Sequence, residues 1–259
     1  MKYFPLLLCL VLVLFSCDKQ SADINALYAI YKTNPDNKLE WEFDDSDPQH
    51  IKMIKHEGVT FSLVDGQQRV TELRMETKNI ENLEPITALT ALTYLSCGYN
   101  QLTTLDVSHN TALTYLCCYV NQLTSLDVSK NTLLIELYSD ANQLTILNVN
   151  KNIDLEILSC DDNQLTSLDL STNTALRLLY CKLNQLTSLD VSKNPDLAFL
   201  VCYLNQLTTL DVSKNMKLMT LQCELNNFGE QSVKVSKKFY DKPLILSPDK
   251  GDPIYIVVD

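Results

Sequence analysis

The chain has 259 residues, 46% of them hydrophobic, with five glycines and eight prolines, so it holds enough apolar material for a large core and is not low-complexity. A formal net charge of −11 and a pI near 4.7 disfavour nucleic acid and anionic membrane surfaces as partners. The acidity points to solubility or to a cationic partner.

Residues 1–16 contain Lys2, an apolar run over 5–15 and Ser16, followed by Cys17. The run is too short to span a bilayer and suits a secretory signal. Leu14-Phe15-Ser16-Cys17 resembles the bacterial lipoprotein box, which implies lipidation of Cys17 and anchoring of the mature chain to a membrane. The other reading is an ordinary signal peptide with an incidental cysteine. Residues 17–22 form a polar tether, and residues 23–72 read as an N-terminal cap. There Ile24, Leu27, Tyr28 and Tyr31 recur at helical spacing and stop before Asn34-Pro35. Trp41 follows in an acidic stretch with Glu42, Asp44, Asp45 and Asp47, and strands are expected at 51–54, 59–64 and 69–75.

Residues 73–226 are dominated by one unit. Asn100, Asn121, Asn142, Asn163, Asn184, Asn205 and Asn226 mark a 21-residue period without insertions, N-Q-L-T-x-L-D-V-S-x-N-x-x-L-x-x-L-x-C-x-x, as in a solenoid. The apolar positions of one unit, Leu102, Leu105, Val107, Leu113, Leu116 and Cys118, can be buried only by stacking on neighbouring units. Residues 115–119 alternate outward and inward, which predicts one short strand per coil and a parallel sheet. Strands centred on Leu73, Leu95, Leu116, Leu137, Leu158, Leu179, Leu200 and Leu221 make a sheet of eight, ~34 Å wide at ~4.8 Å per step. Leu83, Ile86, Leu89 and Leu92, spaced by three, predict a transition coil. The period-marking asparagine sits where the chain turns with its peptide groups facing inward. An amide both donates and accepts, so these asparagines predict a hydrogen-bonded ladder. After Asn226 the period is lost, and residues 227–259 read as a C-terminal cap with strands at 244–246 and 254–258.

Each unit carries L-x-C-x-x-N-x-L where leucine-rich repeat proteins carry L-x-L-x-x-N-x-L, and the chain resembles that family. Its 21-residue units with a strand cysteine are similar to internalin J and related bacterial surface proteins. The cysteines are Cys97, Cys118, Cys160, Cys181, Cys202 and Cys223; Ser139 stands in the equivalent place of one unit, and Asn148 and Asn150 replace the D and S after it. The resemblance implies an α/β, mostly β, leucine-rich repeat solenoid. It would be a right-handed horseshoe or arc of about eight coils, with a parallel β-sheet on the concave face, a helical N-terminal cap and a short β C-terminal cap. His56-Glu57-Gly58-Val59-Thr60 and Arg69-Val70-Thr71-Glu72-Leu73 resemble the N-terminal caps of this family, here without cap cysteines.

By the same resemblance, outward strand positions lie on the concave side and form the candidate ligand-binding surface: Tyr94, Tyr115, Tyr119, Glu136, Tyr138, Asp140, Asp161, Tyr180, Lys182, Phe199, Tyr203 and Glu224. Tyrosines supply contact area with a polar tip, and acids outnumber the one lysine, which suits a protein or glycan. The competing reading is that the tyrosines pack on one another along the sheet. The strand cysteines have no metal-ligand spacing and point the same way, so free buried thiols are expected. Cys117 is the exception, expected to face outward within reach of reagents but without a histidine to activate it. The three histidines, His50, His56 and His109, form no ligand cluster, and no metal or cofactor is implied. Repeated Asp and Ser, as in Asp106 and Ser108, read as turn hydrogen bonding. The acidic groups at Asp44, Asp45 and Asp47 and at Asp249 and Asp252 read as solvated loops rather than calcium sites.

These features together describe a non-catalytic, lipid-anchored protein of the bacterial cell envelope, at the outer membrane or cell surface, that binds a partner through its concave face. The internalin resemblance implies adhesion to a host protein or glycan. The alternatives are capture of a nutrient glycan or peptide at the outer membrane, an envelope enzyme with its site around His50, His56 and 44–47, and a purely structural envelope protein.

Overall fold

The structure is a computed structural model that describes residues 22–229 and 233–236, with the backbone strands at 245–246 and 255–258. The lipidation and signal expectations for residues 1–21, and the Asp249 and Asp252 loop, lie outside the described residues.

Helix α1 spans 22–33, and its inner stripe is Asp23, Ala26, Leu27 and Ile30, an i, i+3, i+4, i+7 pattern. Asn34 ends it by donating through Nδ2 to Ile30 O at 2.7 Å, and Pro35 prevents continuation. The acidic stretch begins as a strand, which the sequence did not predict, and Asp45 and Asp47 follow it in a loop. Strand β1 (Trp41–Asp44) pairs antiparallel with β2 (Lys52–His56). Its inward side chains explain this: Trp41 is buried and donates Nε1–H to Glu57 O at 2.8 Å, and Phe43 packs on Tyr28 at 5.2 Å. Strands β3 (Val59–Val64) and β4 (Gln67–Arg74) form a hairpin. Its two-residue turn, Asp65-Gly66, has positive φ at both positions (50° and 76°), which suits the right-handed twist of the strands.

From β4 the chain winds into coils that each add one parallel strand: β5 (Tyr94–Ser96), β6 (Tyr115–Cys117), β7 (Glu136–Tyr138), β8 (Ile157–Ser159), β9 (Leu178–Tyr180) and β10 (Phe199–Val201). A short β11 (Leu210–Asp211) precedes the next, β12 (Thr220–Gln222). The expected leucines from Leu73 to Leu221 sit in register and are all 0% exposed. In the first coil the spacing of three has a local cause: Glu84–Ala88 is a 3-10 helix, whose side chains repeat every third residue.

Polar ladders brace the coils. Each period-marking asparagine satisfies its own coil and the one before. Asn121 donates to Cys97 O (3.1 Å) and Cys118 O (3.0 Å) and accepts from Leu102 N–H (3.0 Å). The residue before each of these asparagines has positive φ, from Tyr99 (52°) to Leu225 (54°). On the opposite side Asp106 Oδ1 accepts from Ser108 N–H at 2.9 Å, and Asn148 keeps the same bond to Asn150 N–H at 3.0 Å. A second asparagine ladder, Asn110, Asn131, Asn152, Asn173, Asn194 and Asn215, is 0% exposed. It is donor-only: Asn131 donates to Val107 O and Asn110 O, both at 2.9 Å, while its Oδ1 accepts no hydrogen bond among the described residues.

The coil path continues where the sequence period stops. Strand β13 (Val233–Ser236) pairs parallel with β11, β14 (Ile245–Leu246) pairs parallel with β12, and β15 (Tyr255–Val258) pairs parallel with β13. The expected strands near 245 and 255 therefore each extend one of two sheets by a strand. Val233 and Val235 alternate inward and are buried, which is all that pairing to β11 requires.

Candidate functional site

Because strand side chains alternate, each coil sends its leucine and cysteine inward and two or three residues outward. The register aligns the outward residues in rows. One runs Glu72, Tyr94, Tyr115, Glu136, Ile157, Leu178, Phe199, and the next Arg74, Ser96, Cys117, Tyr138, Ser159, Tyr180, Val201. Just beyond the strands come Gly98, Tyr119, Asp140, Asp161, Lys182, Tyr203 and Glu224. All twelve residues proposed from the sequence lie on this face and are half-buried.

The first half of the face is an aromatic platform. Tyr94 and Tyr115 stack at 4.1 Å with 6° between their planes, Tyr138 tilts against Tyr115 at 5.5 Å, and the Arg74 guanidinium lies 3.9 Å over Tyr94. Tyr138 donates its hydroxyl to Glu136 at 2.9 Å. Tyr119 meets Tyr99 edge-on at 4.9 Å. Its ring occupies the space above Gly98, where an added Cβ would lie 2.5 Å from a ring carbon. The tyrosines thus do pack along the sheet, and they keep exposed edges at the same time. Burial raises the Tyr115 and Tyr138 hydroxyls well above the usual phenol range, so both stay protonated donors.

The second half is charged. Asp140 accepts from Ser159 Oγ and from Asp161 N–H (3.0 Å), and Asp161 accepts from Lys182 N–H (2.8 Å) with Lys182 Nζ at 3.5 Å. Lys182 Nζ also stands 5.4 Å from the Tyr203 ring. Burial, and next the neighbouring Asp140 carboxylate, push Asp161 up to about 6, and burial likewise raises Asp140.

Cys117 corrects an expectation. It belongs to an outward row, yet it is 3% exposed, and burial raises its thiol above the usual range. Its row neighbours Ser96 and Tyr138 and its own coil's tyrosines close over it, so it is not a surface thiol. The inward Cys97, Cys118, Cys160, Cys181, Cys202 and Cys223 are buried thiols rather than disulfides, stacked in one column that Ser139 interrupts.

That column has a counterpart in one solved structure. The functional domain of InlJ from Listeria monocytogenes, described as including a cysteine ladder, is similar to this chain. It is 37% identical with a TM-score of 0.63, over 67% of this chain and 42% of that one. This is a leucine-rich repeat protein with internalin J-like, cysteine-ladder coils. Two further L. monocytogenes str. 4b F2365 internalins share the fold of the repeat protein. InlF is 23% identical with a TM-score of 0.63 over 72% and 55% of the two chains, and InlC2 is 20% identical with a TM-score of 0.58 over 72% and 79%. The repeat protein spans about two-fifths of the InlJ domain and about half of InlF. No protein-family model and no curated protein sequence matches it.

Sequence reasoning missed Glu72, Arg74, Glu76 and Tyr99, which extend the face of the repeat protein at its N-terminal end. Glu72 binds Arg74 at 3.0 Å, and Glu76 accepts from Ser96 Oγ. The signal was the 22-residue step from Leu73 to Leu95, one more than the repeat, which puts Glu72 and Arg74 in register with Tyr94 and Ser96. In the N-terminal loop, His50 Nδ1 meets Asp47 at 2.8 Å, Asp45 accepts from Tyr28 at 2.6 Å, and Asp44 from Ser46 Oγ at 2.6 Å. His56 packs edge-on against Phe61 at 5.5 Å, away from that loop's carboxylates. A groove of about 490 Å³ beside Glu84, Thr103, Asp106 and Asp127 lies on the flank, apart from the sheet face. Among the described residues no helix is long and apolar enough to cross a membrane.

Proposed function

We propose that this chain is a non-catalytic binding module of the bacterial cell envelope, anchored by lipid at Cys17, whose concave sheet face holds a protein or glycan partner, with host adhesion as the leading role. The observation that carries it is the face itself, where tyrosines, carboxylates and a lysine are stacked in register, half-buried and already held in position by their neighbours. A preformed surface of rigid aromatic side chains loses little rotamer freedom on binding. The resemblance of the coils to the InlJ functional domain supports an envelope setting.

The test uses the full mature chain, screened against arrayed glycans and purified surface proteins, in parallel with Tyr119→Ala and Tyr203→Ala. A saturable partner whose affinity falls at least tenfold in both variants supports the face as the site; undiminished binding by both removes it. For the anchor, Cys17→Ala is expected to move the protein from the membrane to the soluble fraction. A variant that still partitions with membranes rules the anchor out.

A further inference from the structure

Resting on that reading of the face, we propose that its occupant is a cationic protein segment, with a lysine or arginine side chain seated over the middle of the sheet between the tyrosines and the carboxylates. The chain already shows twice how this face holds a cation. At one end the Arg74 guanidinium lies 3.9 Å over Tyr94 and 3.0 Å from the Glu72 carboxylate. At the other, the Lys182 ammonium stands 5.4 Å from the Tyr203 ring and 3.5 Å from Asp161. Each seat combines a ring face, which attracts a cation through its quadrupole, with a carboxylate beside it.

Between these ends, the outward positions of β5 to β8 repeat the ingredients. Tyr119 precedes Asp140 by one coil, and Tyr138 donates to Glu136 in the same strand. Those positions hold no lysine or arginine among the described residues. The middle therefore has aromatic and acidic halves of a seat with no cation of its own, on a chain whose net charge is −11. Asp140 and Asp161 are adjacent along the stack, and Lys182 makes its ion pair with Asp161, so among the described residues Asp140 has no cation at ion-pair distance. The distance from β5 to β9 is four strand steps, ~19 Å, room for about six residues of extended chain.

The experiment is fluorescence anisotropy with a labelled Gly-Lys alternating hexapeptide, an arginine version and a Glu version, at 150 mM salt, with the full mature chain. Two charge-matched double variants separate a seat from the general negative field: Glu136→Gln with Asp140→Asn on the face, and Asp106→Asn with Asp127→Asn on the flank. Tyr119→Leu removes the ring and leaves every charge in place. The cationic peptides are expected to bind and the Glu peptide not to; the face double variant and Tyr119→Leu are each expected to lose about tenfold. The flank variant should change affinity by less than about twofold, because its charges act only through a screened field. Thermal melts confirm folding, and Glu136→Gln alone serves if the double variant fails to fold. Equal losses on face and flank, or no binding of the cationic peptides, overturn the inference. A glycan whose binding needs Tyr119 and Tyr203 but ignores Glu136 and Asp140 overturns it while leaving the face as the binding site. Indifference of every ligand to every face variant overturns both.

Discussion

The N-terminal unit and the repeat stack solve the same burial problem in opposite ways. In the stack, one set of contacts is copied from coil to coil, so stability is spread over neighbouring interfaces. The N-terminal unit relies on contacts that occur once. Asp23 on α1 takes a bidentate ion pair from Arg69 (2.8 and 2.9 Å) and a third bond from Val70 N–H (2.8 Å), with the aspartate fully buried. Asn34 donates to Ile30 O and Asn82 O and accepts from Glu81 and Asn82 N–H, tying the helix end to the first coil. The difference teaches where a single substitution is dangerous. Loss of a unique buried partner has no neighbouring copy to limit it.

The sharpest way to break this comparison is Asp23→Ala. It leaves Arg69 buried without its carboxylate, and the expected cost is ~3–5 kcal/mol. Trp41 is the sole tryptophan and lies in the N-terminal unit, so its fluorescence reports that region alone. Urea melts should show Trp41 fluorescence lost at lower urea than the far-UV signal of the stack. Coincident curves at the wild-type midpoint would show that the unit does not depend on the pair.

Within the stack the two asparagine ladders should differ. Asn163 donates to Ser139 O and accepts from Leu144 N–H, so Asn163→Ala orphans groups of both kinds; about 3 kcal/mol is expected. Asn173 donates through Nδ2 to Val149 O and Asn152 O and its Oδ1 accepts nothing among the described residues, so Asn173→Ala should cost about 2 kcal/mol. The reverse order in matched melts would mean that the donor-only ladder matters more than its bonds indicate.

A smaller effect depends on pH. Asp161, between Asp140 and Lys182, ionises at about 6 in the folded chain against an ordinary 3.8. The unfolded chain therefore gives up this proton first as pH rises, and the folded state loses stability across that window. Asp161→Asn should be indistinguishable from wild type near pH 4 and more stable above about pH 7. A gain that is the same at both ends would exclude titration of Asp161 as its cause.

The two smallest changes repair irregularities. Ser139→Cys completes the thiol column at a fully buried position and should add about 1 kcal/mol. Val120 is β-branched with φ of 51°, so Val120→Gly should relieve strain and gain about 0.5 kcal/mol after the entropy glycine costs. Chemical denaturation resolves both if read at the midpoint with an unchanged slope.

Much of this architecture was legible because a strict period leaves little freedom. Once 21 residues make one coil, residues one period apart must stack, and the leucine column, the cysteine column and the first asparagine ladder follow from the unit alone. The outward placement of the twelve face residues was legible for the same reason. The second asparagine ladder stood in the repeated motif unread, because nothing local shows that Asn131 reaches carbonyls of the coil before it. Trp41 has no element predicted from its acidic stretch because its hydrogen-bond partner, the Glu57 carbonyl, and the α1 rings that pack on its strand neighbour Phe43 are distant in sequence.

By itself the sequence determined the coil, its period, and which side chains share a column, since those depend only on repetition and on the alternation of a strand. Tertiary structure alone decided how much of each outward side chain water reaches. Cys117 is sealed and the tyrosines are half-covered because exposure depends on the bulk of residues one coil away, which differ from unit to unit. It also decided that Val233 joins Leu210, and Ile245 joins Thr220, after the repeated motif has ended. The open edge of a parallel sheet offers unpaired backbone groups to any extended segment, whatever its side chains spell.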